Sequence, residues 1–177
     1  MKYGQNIVAV SQLQPDYLGF IFHPDSPRYF QGSLPELPGR IKKTGVFVNA
    51  SLQAILTYLN HYGLNAVQLH GQEPPQICAT LKEEGIEVIK VFSIGQSFDF
   101  NSLTPYERVV DYFLFDTKGK APGGNGITFN WDILRSYCSD VPFFLSGGIG
   151  PGEVEDIISL YKSWKDNNKE HLIMGVD

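Results

Sequence analysis

Asp116 is a single carboxylate that follows an apolar run and precedes a glycine-rich segment. The apolar run occupies 112–115, and the segment ends in Gly-Gly-Asn-Gly at 123–126. This order predicts a buried strand that carries an acid at its carboxyl end, beside a loop whose backbone N–H groups can approach an anion. Taken alone, this stretch is better explained by an Asp that ends a strand in a turn, followed by a glycine-rich linker with no catalytic or binding role.

A second glycine-rich loop, at 146–152, is typical of a phosphate site. Its sequence is Ser-Gly-Gly-Ile-Gly-Pro-Gly, and Pro151 suits the first position of a helix. Glycines leave the backbone open, and the N-terminus of a helix favours an anion. An ordinary strand–helix turn explains one such loop equally well. Two loops of this kind, with Gly147 and Gly148 in the second, favour a phosphorylated small-molecule ligand.

Three polar side chains near other apolar runs complete a candidate site. Arg28 lies in a proline-stiffened loop at 23–29, and its planar guanidinium suits a carboxylate. Gln68 and His70 alternate along one run, so their side chains point to the same face. An arginine in a loop, such as Arg28, is more often a solvated surface cation, and a histidine at a strand end, such as His70, more often has a structural role. Their shared position, at the carboxyl ends of predicted strands, is where a barrel enzyme places its site.

Short β-rich runs recur along the chain, with first residues 22 to 30 positions apart. Segments with helical apolar spacing lie at 52–62, 75–84 and 154–164, and an opening helix near 7–13 is stopped by Pro15. Strands that are apolar on both faces are expected in a parallel sheet covered by helices. The predicted strands are 17–22, 44–48, 66–70, 88–94, 112–116, 142–146 and 172–177.

This alternation predicts an α/β fold in one domain that covers 1–177. No linker, low-complexity tract or charge block divides the chain. A doubly wound sheet accommodates an opening helix and a closing strand. A TIM-type (β/α)8 barrel would also need a first strand and a last helix, and 177 residues is below its usual range.

Composition limits the partners and the compartment. The chain is 42% hydrophobic with a net charge of −5, so we expect a globular protein that binds neither nucleic acid nor an anionic membrane. No apolar run approaches the roughly 18 residues of a membrane span. Cys78 and Cys138 lack metal-ligand spacing, and a reduced cytoplasm is the simplest compartment.

Taken in order, these motifs resemble the phosphoribosylanthranilate isomerase family, which has an eight-stranded barrel and acts in tryptophan biosynthesis. Single matches are weak, whereas the ordered set is specific and covers nearly the whole chain. The matching pieces are Tyr-Leu-Gly-Phe-Ile-Phe at 17–22, Ser-Pro-Arg-Tyr at 26–29, Gly-Val-Phe-Val-Asn at 45–49, Val-Gln-Leu-His-Gly at 67–71, Phe-Asp at 115–116, Gly-Asn-Gly at 124–126, Phe-Asn-Trp at 129–131 and Ser-Gly-Gly at 146–148.

The resemblance implies an Amadori rearrangement of N-(5-phosphoribosyl)anthranilate to 1-(2-carboxyphenylamino)-1-deoxyribulose 5-phosphate. This reaction needs an acid that opens the furanose ring and a base that deprotonates the second sugar carbon, but no metal or cofactor. The implied acid is Asp116, which should be partly desolvated. The implied substrate-binding residues are Arg28 for the anthranilate carboxylate, Gln68 and His70 for the aromatic part, Gly124, Gly126, Gly147 and Gly148 for the phosphate, and Asp177 at the end of the last strand.

One residue that the resemblance implies is missing. The family's base is a cysteine in a Lys-Val/Ile-Cys-Gly motif before the segment that matches Met1, and these 177 residues contain no such motif. Cys78 and Cys138 are predicted to lie in helical segments among apolar neighbours, where cysteine usually packs. We therefore expect weak or absent turnover from this chain.

These departures predict a barrel truncated at both ends, without its first strand and its last helix. Either an internal methionine has been taken as the start, or these residues are a fragment of a protein that has the first strand and its cysteine, or the gene is truncated and its product is inactive. We favour the first, because Asp116, Arg28, His70 and both glycine loops are present. The unpaired edges of a seven-stranded remnant predict a homodimer formed through strand pairing.

Two other functions compete with isomerisation. One is another phosphosugar barrel enzyme, either an epimerase with paired His and Asp metal ligands or a synthase with Lys and Glu at strand ends. The predicted strand ends carry one His, and Lys90 is the only comparable Lys. The other is a catalytically inactive remnant that binds a phosphorylated ligand, which a test of binding and turnover distinguishes.

Overall fold

The computed structural model describes residues 1–117 and 130–177, which form two compact units, Met1–Ile89 and Lys90–Asp177. Both units contain parallel strands that alternate with helices, which confirms the predicted α/β class. The assignment of 1–177 to one domain stays a prediction. Gly124 and Gly126 lie outside the described residues.

The first unit contains three parallel strands that lie side by side in chain order. Its elements are α1 (Gly4–Ser11), β1 (Tyr17–Ile21), β2 (Lys42–Phe47), α2 (Leu52–Tyr62), β3 (Ala66–Leu69) and α3 (Pro75–Glu83). The register places Val46 beside both Ile21 and Gln68. Because side chains alternate along a strand, Val46 and Gln68 share one face, and Phe47 and Leu69 share the other.

Aromatic rings join the Phe47 face of this sheet to α2. The ring centroid of Phe22 lies 4.4 Å from that of Tyr58 and 5.1 Å from that of Tyr62, and Phe47 lies 5.9 Å from Tyr58. Gly45 makes room for this packing, since a Cβ there would lie 2.6 Å from the Phe47 ring. The helix face of the sheet is therefore filled with rings, and the opposite face carries Gln68.

The second unit repeats the pattern with three further parallel strands. The strand β4 (Glu87–Ile94) crosses the boundary between the units. Beyond it lie β5 (Tyr112–Thr117), β6 (Phe143–Ser146), α4 (Val154–Lys165) and β7 (Ile173–Val176). Short 3-10 helices occupy Phe100–Leu103, Trp131–Ser136, Pro151–Glu153 and Glu170–Leu172. The register places Asp116 beside Ser146 and Leu145 beside Val176.

An aromatic cluster also joins the strands of the second unit to α4. The ring centroid of Phe143 lies 5.1 Å from that of Phe115 and 5.4 Å from that of Trp164 in α4. Since Phe115 faces the helix, its neighbour Asp116 points to the opposite face. The same alternation that buries Phe115 among aromatic rings therefore places the Asp116 side chain on the other face of the sheet.

The seven predicted strands are all present in the described residues, with ends within two positions of those predicted. The helix predicted at 52–62 is α2, and those at 75–84 and 154–164 differ from α3 and α4 by one residue. The helical segment predicted around Cys138 is wrong, because the 3-10 helix Trp131–Ser136 ends before that residue, which is exposed. No helix described in 1–117 or 130–177 is both long and apolar enough to cross a membrane.

Candidate functional site

Arg28 is exposed in the loop that follows β1, and its neighbours fix the backbone of that loop. The hydroxyl of Ser26 accepts the Arg28 N–H at 3.2 Å, and the Ser26 carbonyl accepts the Tyr29 N–H at 2.9 Å. Lys2 donates through Nζ to the Pro27 carbonyl at 2.8 Å. A constrained backbone with an exposed guanidinium suits capture of a carboxylate from solution.

Tyr29 ties this loop to α2. Its hydroxyl lies 3.0 Å from the hydroxyl of Tyr58. The hydrogen bond with Tyr29, together with burial, raises the pKa of Tyr58 to about 12. The Phe30 N–H also donates to the Ile21 carbonyl at 2.8 Å, so the loop returns along the outer edge of β1.

Gln68 and His70 lie at the carboxyl end of β3. The Gln68 side chain is buried on the face opposite α2, whereas His70 is half-buried. The His70 N–H donates to the Phe47 carbonyl at 2.8 Å, which continues the pairing of β3 with β2 by one residue. A half-buried imidazole at a strand end can contact a ligand while its backbone stays part of the sheet.

Glu73 is a residue of this region that the sequence analysis did not single out. It is only 2% exposed, although it lies in a loop three residues beyond His70. Nothing in the local sequence separates it from the exposed Glu83 and Glu84 of the following helix. Its burial depends on contacts with the loop after β2, which no local pattern predicts.

Asp116 is the penultimate residue of β5 and is 7% exposed, which agrees with the desolvation expected of it. The backbone of Gly147 passes so close that a Cβ on this glycine would lie 2.6 Å from Oδ1 of Asp116. The hydroxyl of Thr117 donates to the Gly147 carbonyl at 3.2 Å. Thr117 and Gly147 are 30 residues apart in sequence, so the Asp116 carboxylate and the glycine loop are neighbours only in space.

The glycine loop after β6 has the backbone that its sequence predicts. Gly147 and Gly148 have φ angles of 90° and 71°, in the left-handed region that glycine tolerates without strain. The Gly150 N–H donates to a carboxylate oxygen of Glu153 at 2.7 Å. Pro151 opens the 3-10 helix that leads into α4, as expected of a proline at the first helical position.

The predicted residues fall into two groups, one in each unit. In the first unit, Arg28, Gln68 and His70 lie at or beyond the carboxyl ends of β1 and β3. In the second unit, Asp116 and Gly147 are in contact. Asp177 is exposed beyond β7, with its N–H donating to the Leu145 carbonyl at 2.9 Å.

Neither cysteine lies at a carboxyl strand end. Cys78 is fully buried in α3, as predicted. Cys138 precedes β6 in the chain and so lies at the amino end of the strand whose carboxyl end leads to Gly147. Within 1–117 and 130–177, no three His, Cys, Asp or Glu side chains are grouped so that they could hold a metal ion.

A family model described as N-(5'-phosphoribosyl)anthranilate isomerase matches residues 1–173. A curated relative from Phocaeicola vulgatus, N-(5'-phosphoribosyl)anthranilate isomerase, is 46% identical over 165 residues, which are 93% of this chain and 80% of the relative. These matches do not confirm the expected truncation at both ends.

Two solved structures are similar along nearly the whole chain. Phosphoribosyl anthranilate isomerase from Thermotoga maritima has a TM-score of 0.76 and 32% identity, covering 99% of this chain and 83% of the other. A phosphoribosyl anthranilate isomerase in complex with reduced 1-(o-carboxyphenylamino)-1-deoxyribulose 5-phosphate has a TM-score of 0.71 and 30% identity, covering 96% of this chain and 79% of the other.

Proposed function

This chain belongs to the N-(5'-phosphoribosyl)anthranilate isomerase family, and from that premise we propose how its residues divide the reaction. It is an isomerase of tryptophan biosynthesis, and its reaction is the Amadori rearrangement of N-(5-phosphoribosyl)anthranilate. Membership of this family decides against the epimerase and the synthase as alternatives.

Asp116 acts as the general acid. Its burial beside the Gly147 backbone carries this assignment, because a shielded carboxyl group can transfer a proton to substrate instead of water. The proton goes to the furanose ring oxygen, the bond from that oxygen to the first sugar carbon breaks, and the nitrogen lone pair forms an iminium. A base then takes the proton from the second carbon, which gives an enolamine, and protonation of the first carbon converts the enolamine to the ketone.

The remaining site residues bind the two ends of the substrate. Arg28 pairs with the anthranilate carboxylate through its guanidinium, and Gln68 and His70 contact the aromatic part. The phosphate binds to backbone N–H groups of the glycine loops, at Gly147 and Gly148 in the described residues and at Gly124 and Gly126 beyond them. Asp177, at the end of β7, adjoins the same substrate.

Binding of the reduced product analogue to the 177-residue chain tests this assignment without requiring turnover. We expect Arg28→Ala to weaken binding roughly tenfold or more, because a charge-assisted contact is lost. Asp116→Asn should bind nearly as tightly as the unaltered chain, and Arg108→Ala, another exposed arginine, is the matched control. No binding by the unaltered chain would overturn the proposal.

Turnover tests the role of Asp116 as the acid. Because neither cysteine lies at a carboxyl strand end, we expect weak or absent turnover from the 177 residues. Loss of the fluorescent substrate should be followed for the unaltered chain and for its Asp116→Asn variant. Asp116→Asn should abolish whatever turnover is present. Full turnover by the 177 residues would contradict the expected lack of a base.

Association through strand edges is supported by the exposure of β7 in the second unit. In the described residues β7 pairs only with β6, and Met174 and Val176 are 45% and 52% exposed. The edge of β1 is partly covered by its own loop at Tyr29. Homodimer formation therefore uses β7, and light scattering that shows only monomers would count against it.

A cytoplasmic location is proposed as well, and cell fractionation tests it separately.

A further inference from the structure

Glu73 is a buried carboxylate that the proposed reaction does not use. Its exposure of 2% is unusual, since carboxylates are seldom fully buried unless their oxygens are paired. Removing such a charge from water costs free energy that only hydrogen bonds or opposite charges offset. The contacts of Glu73 therefore identify what its burial stabilises.

The two carboxylate oxygens of Glu73 join two loops of the first unit. Oε1 accepts the N–H of Asn49, after β2, at 2.7 Å, and Oε2 accepts the N–H of Gly71, after β3, at 3.0 Å. In return, Oδ1 of Asn49 accepts the N–H of Gln72 at 2.7 Å. We call this group of Asn49, Gly71, Gln72 and Glu73 the Glu73 clamp. Bonds from backbone N–H groups to a carboxylate are stronger than bonds between neutral groups.

The backbone of the clamp is shaped to allow this close approach. Asn49 has a φ of 52°, in the left-handed region that asparagine tolerates better than most residues. A Cβ on Gly71 would lie 2.4 Å from Oδ1 and 2.6 Å from the backbone nitrogen of Asn49. Only a glycine at 71 lets the two loops meet, and the contact is as much steric as electrostatic.

The clamp begins one residue after His70. The His70 N–H is held by the Phe47 carbonyl at 2.8 Å, and the next N–H, that of Gly71, is held by Glu73. The direction in which the chain leaves β3 is therefore set on both sides of the imidazole. We infer that Glu73 is a positioning residue, which acts through the loops after β2 and β3 to hold His70 for binding the aromatic part of the substrate. This inference rests on the proposed function.

Glu73→Gln is the direct test, because it replaces one acceptor oxygen with an NH2 group that faces a backbone N–H. We expect binding of the reduced product analogue to weaken roughly tenfold, because small displacements of binding groups have large effects. The amides of Asn49 and Gly71 should exchange hydrogen faster. Asn49→Gly tolerates the same φ, removes only the acceptor of the Gln72 N–H, and should weaken binding roughly threefold.

Two control variants separate positioning from general stability. Glu83→Gln alters an exposed carboxylate of α3, and Leu81→Val trims a buried side chain of the same helix, which is not one of the four clamp residues. Because both residues lie outside the clamp, both variants should bind the analogue as the unaltered chain does when measured below their unfolding transitions. Weaker binding by Leu81→Val, equal to that of Glu73→Gln, would overturn the positioning role.

The binding experiment distinguishes failure of this inference from failure of the proposed function. Tight binding by both the unaltered chain and Glu73→Gln would overturn the positioning role alone. No binding by the unaltered chain would overturn the proposed function and the positioning role with it. Weaker binding by Glu73→Gln, together with faster exchange at Asn49 and Gly71 only, would support the inference.

Discussion

Gly71 in the first unit and Gly147 in the second each follow a parallel strand and touch the neighbouring strand end. A Cβ on Gly71 would lie 2.4 Å from Oδ1 of Asn49, and one on Gly147 would lie 2.6 Å from Oδ1 of Asp116. Gly147 also has a φ of 90°, whereas Gly71 is outside the left-handed region. Space alone requires glycine at 71, while space and backbone conformation together require it at 147.

The two strand ends are also held by different forces. Around Gly71 a buried carboxylate, Glu73, accepts two backbone N–H groups. Around Gly147 the neutral hydroxyl of Thr117 donates one bond to the Gly147 carbonyl. The first arrangement depends on a charge and the second on backbone shape. Loss of the Glu73 side chain should therefore destabilise the first unit. A Cβ added at the glycine should lower the stability more at Gly147 in the second unit than at Gly71 in the first.

Gly147→Ala should have the largest effect. The new Cβ would contact Asp116 and Thr117, and alanine at a φ of 90° is strained. We expect the free energy of unfolding to fall by roughly 4 kcal/mol and analogue binding to be lost. Urea denaturation and calorimetry measure the two effects. The control is Gly152→Ala, where a Cβ meets nothing within 4 Å.

Gly71→Ala should have an intermediate effect. Its Cβ would push against Asn49, but the backbone needs no left-handed conformation, so only the steric part of the cost applies. We expect the free energy of unfolding to fall by roughly 2 kcal/mol. The same urea series measures it. If Gly71→Ala lowered the free energy of unfolding as much as Gly147→Ala does, the left-handed backbone at Gly147 would contribute little to the cost of that substitution. The proposed difference between the two glycines would then be wrong.

Tyr58→Phe should have the smallest effect, and that effect should depend on pH. The bond with Tyr29, together with burial, raises the pKa of Tyr58 from 10.0 to about 12, so the stabilisation linked to the protonated phenol is fully present below pH 10. The contribution is lost as the pH rises through 12, when the folded phenol ionises. The stability difference between the unaltered chain and Tyr58→Phe should therefore shrink over this range.

Urea titrations at several alkaline pH values measure this difference. Tyr62→Phe is the matched control, since it leaves the hydroxyl pair of Tyr29 and Tyr58 intact. Tyr137 of the second unit offers a contrast, because burial is the main cause that raises its pKa. A difference that stays constant through alkaline pH would show that the hydroxyl pair does not stabilise the first unit.

Strand positions could be predicted because each strand carries its own signal. The run that ends at Asp116 is apolar over its whole length, and the alternation at Gln68 and His70 is visible without tertiary information. The segment around Cys138 carried a weaker signal and misled, since apolar neighbours do not separate an α-helix from a short 3-10 helix followed by an extended segment. The neighbouring Tyr137 packs its ring near Phe143 of β6 and Trp164 of α4, contacts that the local sequence does not show.

The sequence by itself determined the order of strands and helices, the family, and the residue types at the strand ends. Periodicity and ordered motifs are local properties, so they survive without coordinates. Only the tertiary structure decided that Glu73 is buried while Glu83 is exposed, and that Gly147 lies against Asp116. Those facts depend on strand register and loop contacts, which bring together residues 24 and 30 positions apart.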